Sequence, residues 1–355
     1  MSDEHSPNTT GTDDSLANPA WVVYINPFCF IVPDHEKAWE VSLDEINNHT
    51  YDHGKLSRII TKLPTPLGEE WPMLVCYDGG LAIPRALRFS QKEDAIEFFN
   101  TTLCNLFLGG MLCEAIDTRD VVWGKLHRKK HIWPVDYGDS VSSQLHAGLR
   151  TKFAGPLQTI ALSSPATIPL SKFREAFSIG SALTSKLPAF SPKFFIIGVS
   201  ELRNRNWSSS LSNLWISIEQ LTDYLWKCKF LADASYHPTH EISKRVSSLR
   251  QDNRTWSSSV KQEILYQNGI IAAETLELIF PARQARNSLV HDGKGVSKEQ
   301  ALAACKGTIG LLSHCTDEYV RLDESLFSPQ EDVLRRGKRI TREVSFNDWK
   351  SLGTL

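Results

Sequence analysis

The 355-residue chain has no surplus of either charge: 39 Lys and Arg stand against 41 Asp and Glu, for a formal net charge of -2. Overall charge therefore gives no nucleic-acid footprint, and any such surface has to be a local patch. The seven cysteines are odd in number and none forms a C-x-x-C pair. No Cys/His group has zinc-ligand spacing, so no metal site is read from the sequence, and buried reduced thiols in a cytoplasmic protein are the expectation. Residues 1–20 are polar and lack the apolar core of a signal peptide; they are expected to be a disordered leader. No run approaches the ~18 apolar residues that span a membrane, so no membrane partner is expected. No repeat and no phosphate-binding loop of the G-x-x-x-x-G-K-[ST] kind occurs.

What is present divides in two. Residues 21–200 read as mixed α and β. Trp21–Val32 is an apolar, β-branched run broken by Pro27, which predicts two short strands. Met73–Tyr77 and Leu81–Ile83 flank Asp78-Gly79-Gly80 as a hairpin. Ser90 and Glu93 read as a capping box for a helix that Gly109-Gly110 weakens or ends. Residues 157–163 and Phe194–Val199 read as strands, and 170–187 as a helix.

Residues 201–325 carry helix signals in succession. Leu211, Leu214, Trp215, Ile218, Leu221, Thr222 and Leu225 recur at helical spacing. A short helix is expected over 240–250. Residues 257–291 hold one or two helices with a break at Asn268-Gly269 and a kink at Pro281. Ser297 and Gln300 cap a last helix that is expected to reach about Asp323. The fold class expected is α+β: a mixed N-terminal domain, then an all-α bundle. Residues 326–355 form a polar tail with Arg335, Arg336, Lys338, Arg339 and Arg342.

The chemistry concentrates in Arg286-Asn287-Ser288-Leu289-Val290-His291. Arg286 is a planar cation suited to a phosphate. His291 has the side chain whose ordinary pKa lies nearest neutrality. Asn287 precedes His291 by four residues, on the same helix face. In this composition the strict pattern is expected roughly 0.02 times by chance. Arg286 and His291 diverge by roughly 140° around one helix, so a second copy completes such a site more naturally. The plain alternative is an exposed helix end, with Arg286 paired to an acid and His291 facing the helix dipole.

The region 207–320 resembles a HEPN domain of the Apea-like kind. The matching features are Leu214–Leu221, the motif Arg286–His291, the Asp-Gly loop after it and the long last helix. The resemblance implies a helical bundle that dimerises, and a metal-independent endoribonuclease with no cofactor, acting on RNA in bacterial antiviral defence. Arg286 and His291 would be catalytic and Asn287 supporting, while Glu219 would be the first-helix acid that holds the arginine. It also admits a silent dimerisation or binding module, or the toxin half of a toxin–antitoxin pair with an inhibiting protein partner. Separately, Lys125, Arg128, Lys129 and Lys130, followed by Trp133, read either as a solvated loop or as an RNA-gripping run with a stacking platform.

Overall fold

A computed structural model describes residues 18–127, 130–232 and 255–328. The short helix expected over 240–250, Arg128 and Lys129, and the basic tail lie outside the described residues. The leader is shorter than expected at its far end, because β1 (Asn18–Tyr24) takes in residues 18–20.

The fold is α+β. Strands β1, β2 (Cys29–Val32), β3 (Ile59–Leu63), β4 (Met73–Cys76), β5 (Gly80–Pro84), β6 (Val122–His127), β7 (His131–Pro134) and β8 (Ala166–Pro169) form two sheets. Six strands run antiparallel in the order β3-β4-β5-β1-β6-β7, while β2 and β8 pair in parallel. The two outer strands of the larger sheet meet. Arg58 bridges to His131, and the Ile59 N–H donates to the Lys130 carbonyl at 3.0 Å. The sheet thus curls back on itself. Alternation sends Ala20, Val22 and Tyr24 to one face, with Cys76, Ala82, Val122 and Ile132. Val23, Leu81 and Ile83 face the main core on the other side.

Helix α1 (Leu43–Asn47) and α2 (His53–Ser57) precede β3, and α3 (Lys92–Leu108) crosses the main-core face. Helix α4 (Val141–Thr151) starts at a capping box of Ser140 and Ser143, and α5 (Pro156–Thr159) and α6 (Leu170–Ser185) follow. Glycine allows α3 and α6 to touch: a Cβ at Gly109 would collide with the Ala176 backbone, and one at Gly180 with that of Asn105.

The bundle comprises α7 (Pro192–Arg203), α8 (Trp207–Leu225), α9 (Ser258–Gln267), α10 (Ala273–Asp292) and α11 (Lys298–Thr316). Its buried leucines, isoleucines and alanines join the same core as α3 and the sheet. The division expected at residue 200 falls inside α7, which packs on both α3 and α8. Among the described residues, no helix is long and apolar enough to cross a membrane.

Several local expectations change. Phe194–Val199 is helix, not strand: Pro192 opens the first turn, and Phe195, Ile196, Val199 and Leu202 are buried at helical spacing. Residues 157–162 of the expected 157–163 strand are also helical, since Gly155-Pro156 starts α5 and the Gln158 side chain accepts from the Gly155 N–H. Ser90 ends a 3-10 turn, so Gln91 caps α3 and the Ser90–Glu93 box does not form. The last helix stops at Thr316, where Asp317 turns left-handed with φ 57°. The break at Asn268-Gly269 and the Ser297–Gln300 capping box are both present.

Candidate nucleic-acid interface

Helix α10 carries the motif. Thr275, Ile279, Ala282 and Ala285 bury one face, and α10 runs on through Pro281. The opposite face is exposed: Phe280 (46%), Gln284, Asn287, Val290 (59%) and His291 follow at spacings of four, three, three and one. Gly293, at φ 66°, ends the helix, with its N–H on the Leu289 carbonyl and that of Lys294 on Ser288. His291 therefore lies in the last turn, at the negative end of the helix dipole.

Arg286 is half-buried, and its Nη1 donates to the adjacent Asn287 Oδ1 at 3.4 Å. Asn287 and His291 share the exposed face. Arg286 lies roughly 140° round from His291, so one chain presents the guanidinium and the imidazole in different directions. No family model, curated protein or solved structure matches this chain.

Glu219 is on α8, where its Oε1 accepts from the Trp215 indole N–H at 2.8 Å. No ion pair joins it to Arg286 among the described residues. The i,i+4 spacing on one helix explains this, because Trp215 reaches Glu219 without tertiary help. Among the described residues, no group of three or more His, Cys, Asp or Glu is placed to hold a metal ion.

The basic run sits on the β6–β7 hairpin. Lys125 is directly opposite Trp133, and His127 opposite His131. Lys130, at φ 60°, makes the turn and donates its N–H to the His127 carbonyl. Trp133 stacks at 5.9 Å on His131 and lies 5.8 Å from His53. His131 Nδ1 hydrogen-bonds Ser57 Oγ at 3.0 Å, and burial lowers its pKa. Its flanking histidines hold the Trp133 ring in place; neither His53 nor Ser57 was flagged by the basic pattern, because both come from α2.

A third constellation escaped the sequence reading. Asp78, in the β4–β5 turn, receives Arg150 Nε at 2.8 Å and Nη2 at 2.5 Å, and lies 3.2 Å from His146 Nδ1. All three are fully buried. Arg150 also donates to the Ile132 carbonyl, and His146 stacks on Tyr24 at 4.1 Å. Burial pushes the Asp78 carboxyl up, but the Arg150 guanidinium and the His146 hydrogen bond more than reverse this, and its pKa falls below the usual range. His146 is held below its ordinary value by burial, despite Asp78. The cluster pins α4 across one end of the curled sheet. Its signal was His146 and Arg150 at i,i+4 on a helix.

Proposed function

We propose that the chain is a metal-independent endoribonuclease whose site forms between two copies along α10. The observation that carries this reading is the placement of Arg286, Asn287 and His291 at one accessible helix end, with Arg286 engaged among the described residues by its neighbour Asn287. Val290 and Phe280 add exposed apolar area to the same face, which suits a second copy. The resemblance to Apea-like HEPN domains supports the same assignment and sets it in antiviral defence.

In the proposed reaction the RNA 2′-OH attacks the adjacent phosphorus and the 5′-oxygen leaves. His291 of one copy takes the hydroxyl proton, and a second His291 gives a proton to the leaving oxygen. Arg286 neutralises the charge that grows on the phosphoryl oxygens. The products are a 2′,3′-cyclic phosphate and a 5′-OH. Lys125, Lys130 and Trp133 are proposed to hold RNA away from the reacting bond.

The engagement of Glu219 by Trp215 favours a second reading, a silent dimerisation module, because no acid among the described residues pairs with Arg286. Purified protein incubated with RNA in excess chelator separates the two. Cleavage with cyclic-phosphate ends supports the enzyme. Cleavage that stops on chelation and returns with a divalent ion overturns the metal-free mechanism.

A further inference from the structure

Tyr24, at one end of β1, meets Arg150 and the α4 plug, with the guanidinium 4.9 Å from its ring. Asn18, at the other end of β1, opens onto a cavity of about 210 Å³. One end of the curled sheet is therefore filled, and among the described residues the other is hollow. The hollow arises because neighbouring strands place Ala20 and Ala82 there, and Leu74, Leu126 and Ile132 complete an apolar floor. Mouths of curled and closed sheets are common ligand sites.

The polar groups all stand at the rim. Lys62 and Glu70 are exposed, come from β3 and the segment leading into β4, and line the same cavity with Asn18 and Trp71. Neither Lys62 nor Glu70 has an ion pair among the described residues. Among the described residues the floor offers no polar side chain, and its backbone groups serve the ladders of β1 with β5 and β6. A nucleobase seated there would leave its edge donors and acceptors unpaired. An aliphatic or aromatic side chain loses nothing.

We propose that this cavity binds a free α-amino acid with an apolar side chain. The side chain fills the hollow beside Trp71, Lys62 pairs with the carboxylate, and Glu70 pairs with the ammonium group. A cation and an anion at one rim match a ligand with both charges on one carbon. The pocket is built from residues separate from Arg286 and His291, so it stands or falls apart from the ribonuclease reading.

Isothermal titration of the full chain tests it, with L-phenylalanine and L-leucine as ligands, and phenylacetate, phenethylamine and AMP as probes. The amino acids bind with a dissociation constant below about 1 mM, and the two singly charged analogues bind at least roughly tenfold more weakly. Lys62→Glu and Glu70→Lys, both at exposed positions, each weaken L-phenylalanine by roughly tenfold, while His291→Ala leaves it unchanged. Absence of amino-acid binding, equal binding of the singly charged analogues, or preference for AMP overturns the proposal.

Discussion

Arg150 grips Asp78 with two nitrogens, Nε at 2.8 Å and Nη2 at 2.5 Å, in the buried space between α4 and the β4–β5 turn. The pair is a tie between elements 72 residues apart. Removing only one partner strands a buried charge. Asp78→Ala should lower stability by about 3–5 kcal/mol. The double variant Asp78→Ala with Arg150→Met should be more stable than Asp78→Ala alone, because no ion is left unpaired. Denaturant midpoints of the three proteins check both statements.

Acid should weaken the fold in two windows. His146 has its pKa lowered by burial, so the unfolded chain binds a proton first. Its contribution is complete above the unfolded value of about 6.5 and is lost as pH falls through the lower folded value. His131 and His314 are lowered by burial with the same sign. Asp78 contributes above its unfolded value of about 3.9, and this is lost as pH falls further. Unfolding midpoints measured from pH 7.5 down to 5.5 should therefore decline (both values are about where the histidine window lies). His146→Phe, which keeps the stacking on Tyr24, should flatten part of that slope. A stability that rises toward pH 5.5 would contradict the assignment.

Glu219 belongs to Trp215 in this fold, and its variants should show it. Glu219→Gln retains an oxygen for the indole N–H and should leave any RNA cleavage near the wild-type rate. Glu219→Ala should cost about 1 kcal/mol of stability through the lost hydrogen bond. A fall in rate of about 10² for Glu219→Gln, at unchanged stability, would instead return this carboxylate to the reacting site.

The motif residues should behave in the opposite way. His291→Ala and Arg286→Ala lie at the accessible end of α10 and should each change stability by within about 0.5 kcal/mol. Each should lower cleavage by about 10²–10⁴. Asn287→Ala, which removes the acceptor of Arg286 Nη1, should cost less than either. Gel-based cleavage rates set beside thermal midpoints distinguish chemistry from folding.

Local patterns carried much of the architecture. The stripe from Leu211 to Leu225, the Asp78 hairpin turn, the break at Gly269 and the Ser297 cap are one-segment signals, and each appears where its pattern places it. Phe194–Val199 misled because an apolar run of that length suits a strand or a buried helix, and Leu202 lies beyond it. The curl of the sheet was not legible, since the meeting of Arg58 with His131 depends on twist summed over six strands. Asp78, His146 and Arg150 come from a turn and a helix that only the tertiary fold unites. For the α10 motif the sequence supplied residues and spacing, and the fold added the exposure of Asn287, Val290 and His291.

The composite site is tested most directly by measuring molecular mass in solution and RNA cleavage on the same fractions across a dilution series. Arg286 and His291 point apart on one helix, so the account predicts that activity follows the dimer and fades as the protein dissociates. Excess His291→Ala mixed with wild type should then lower the activity per wild-type chain, because a mixed dimer keeps one of the two His291 the reaction uses. A strict monomer that cleaves RNA at the full rate would contradict the account.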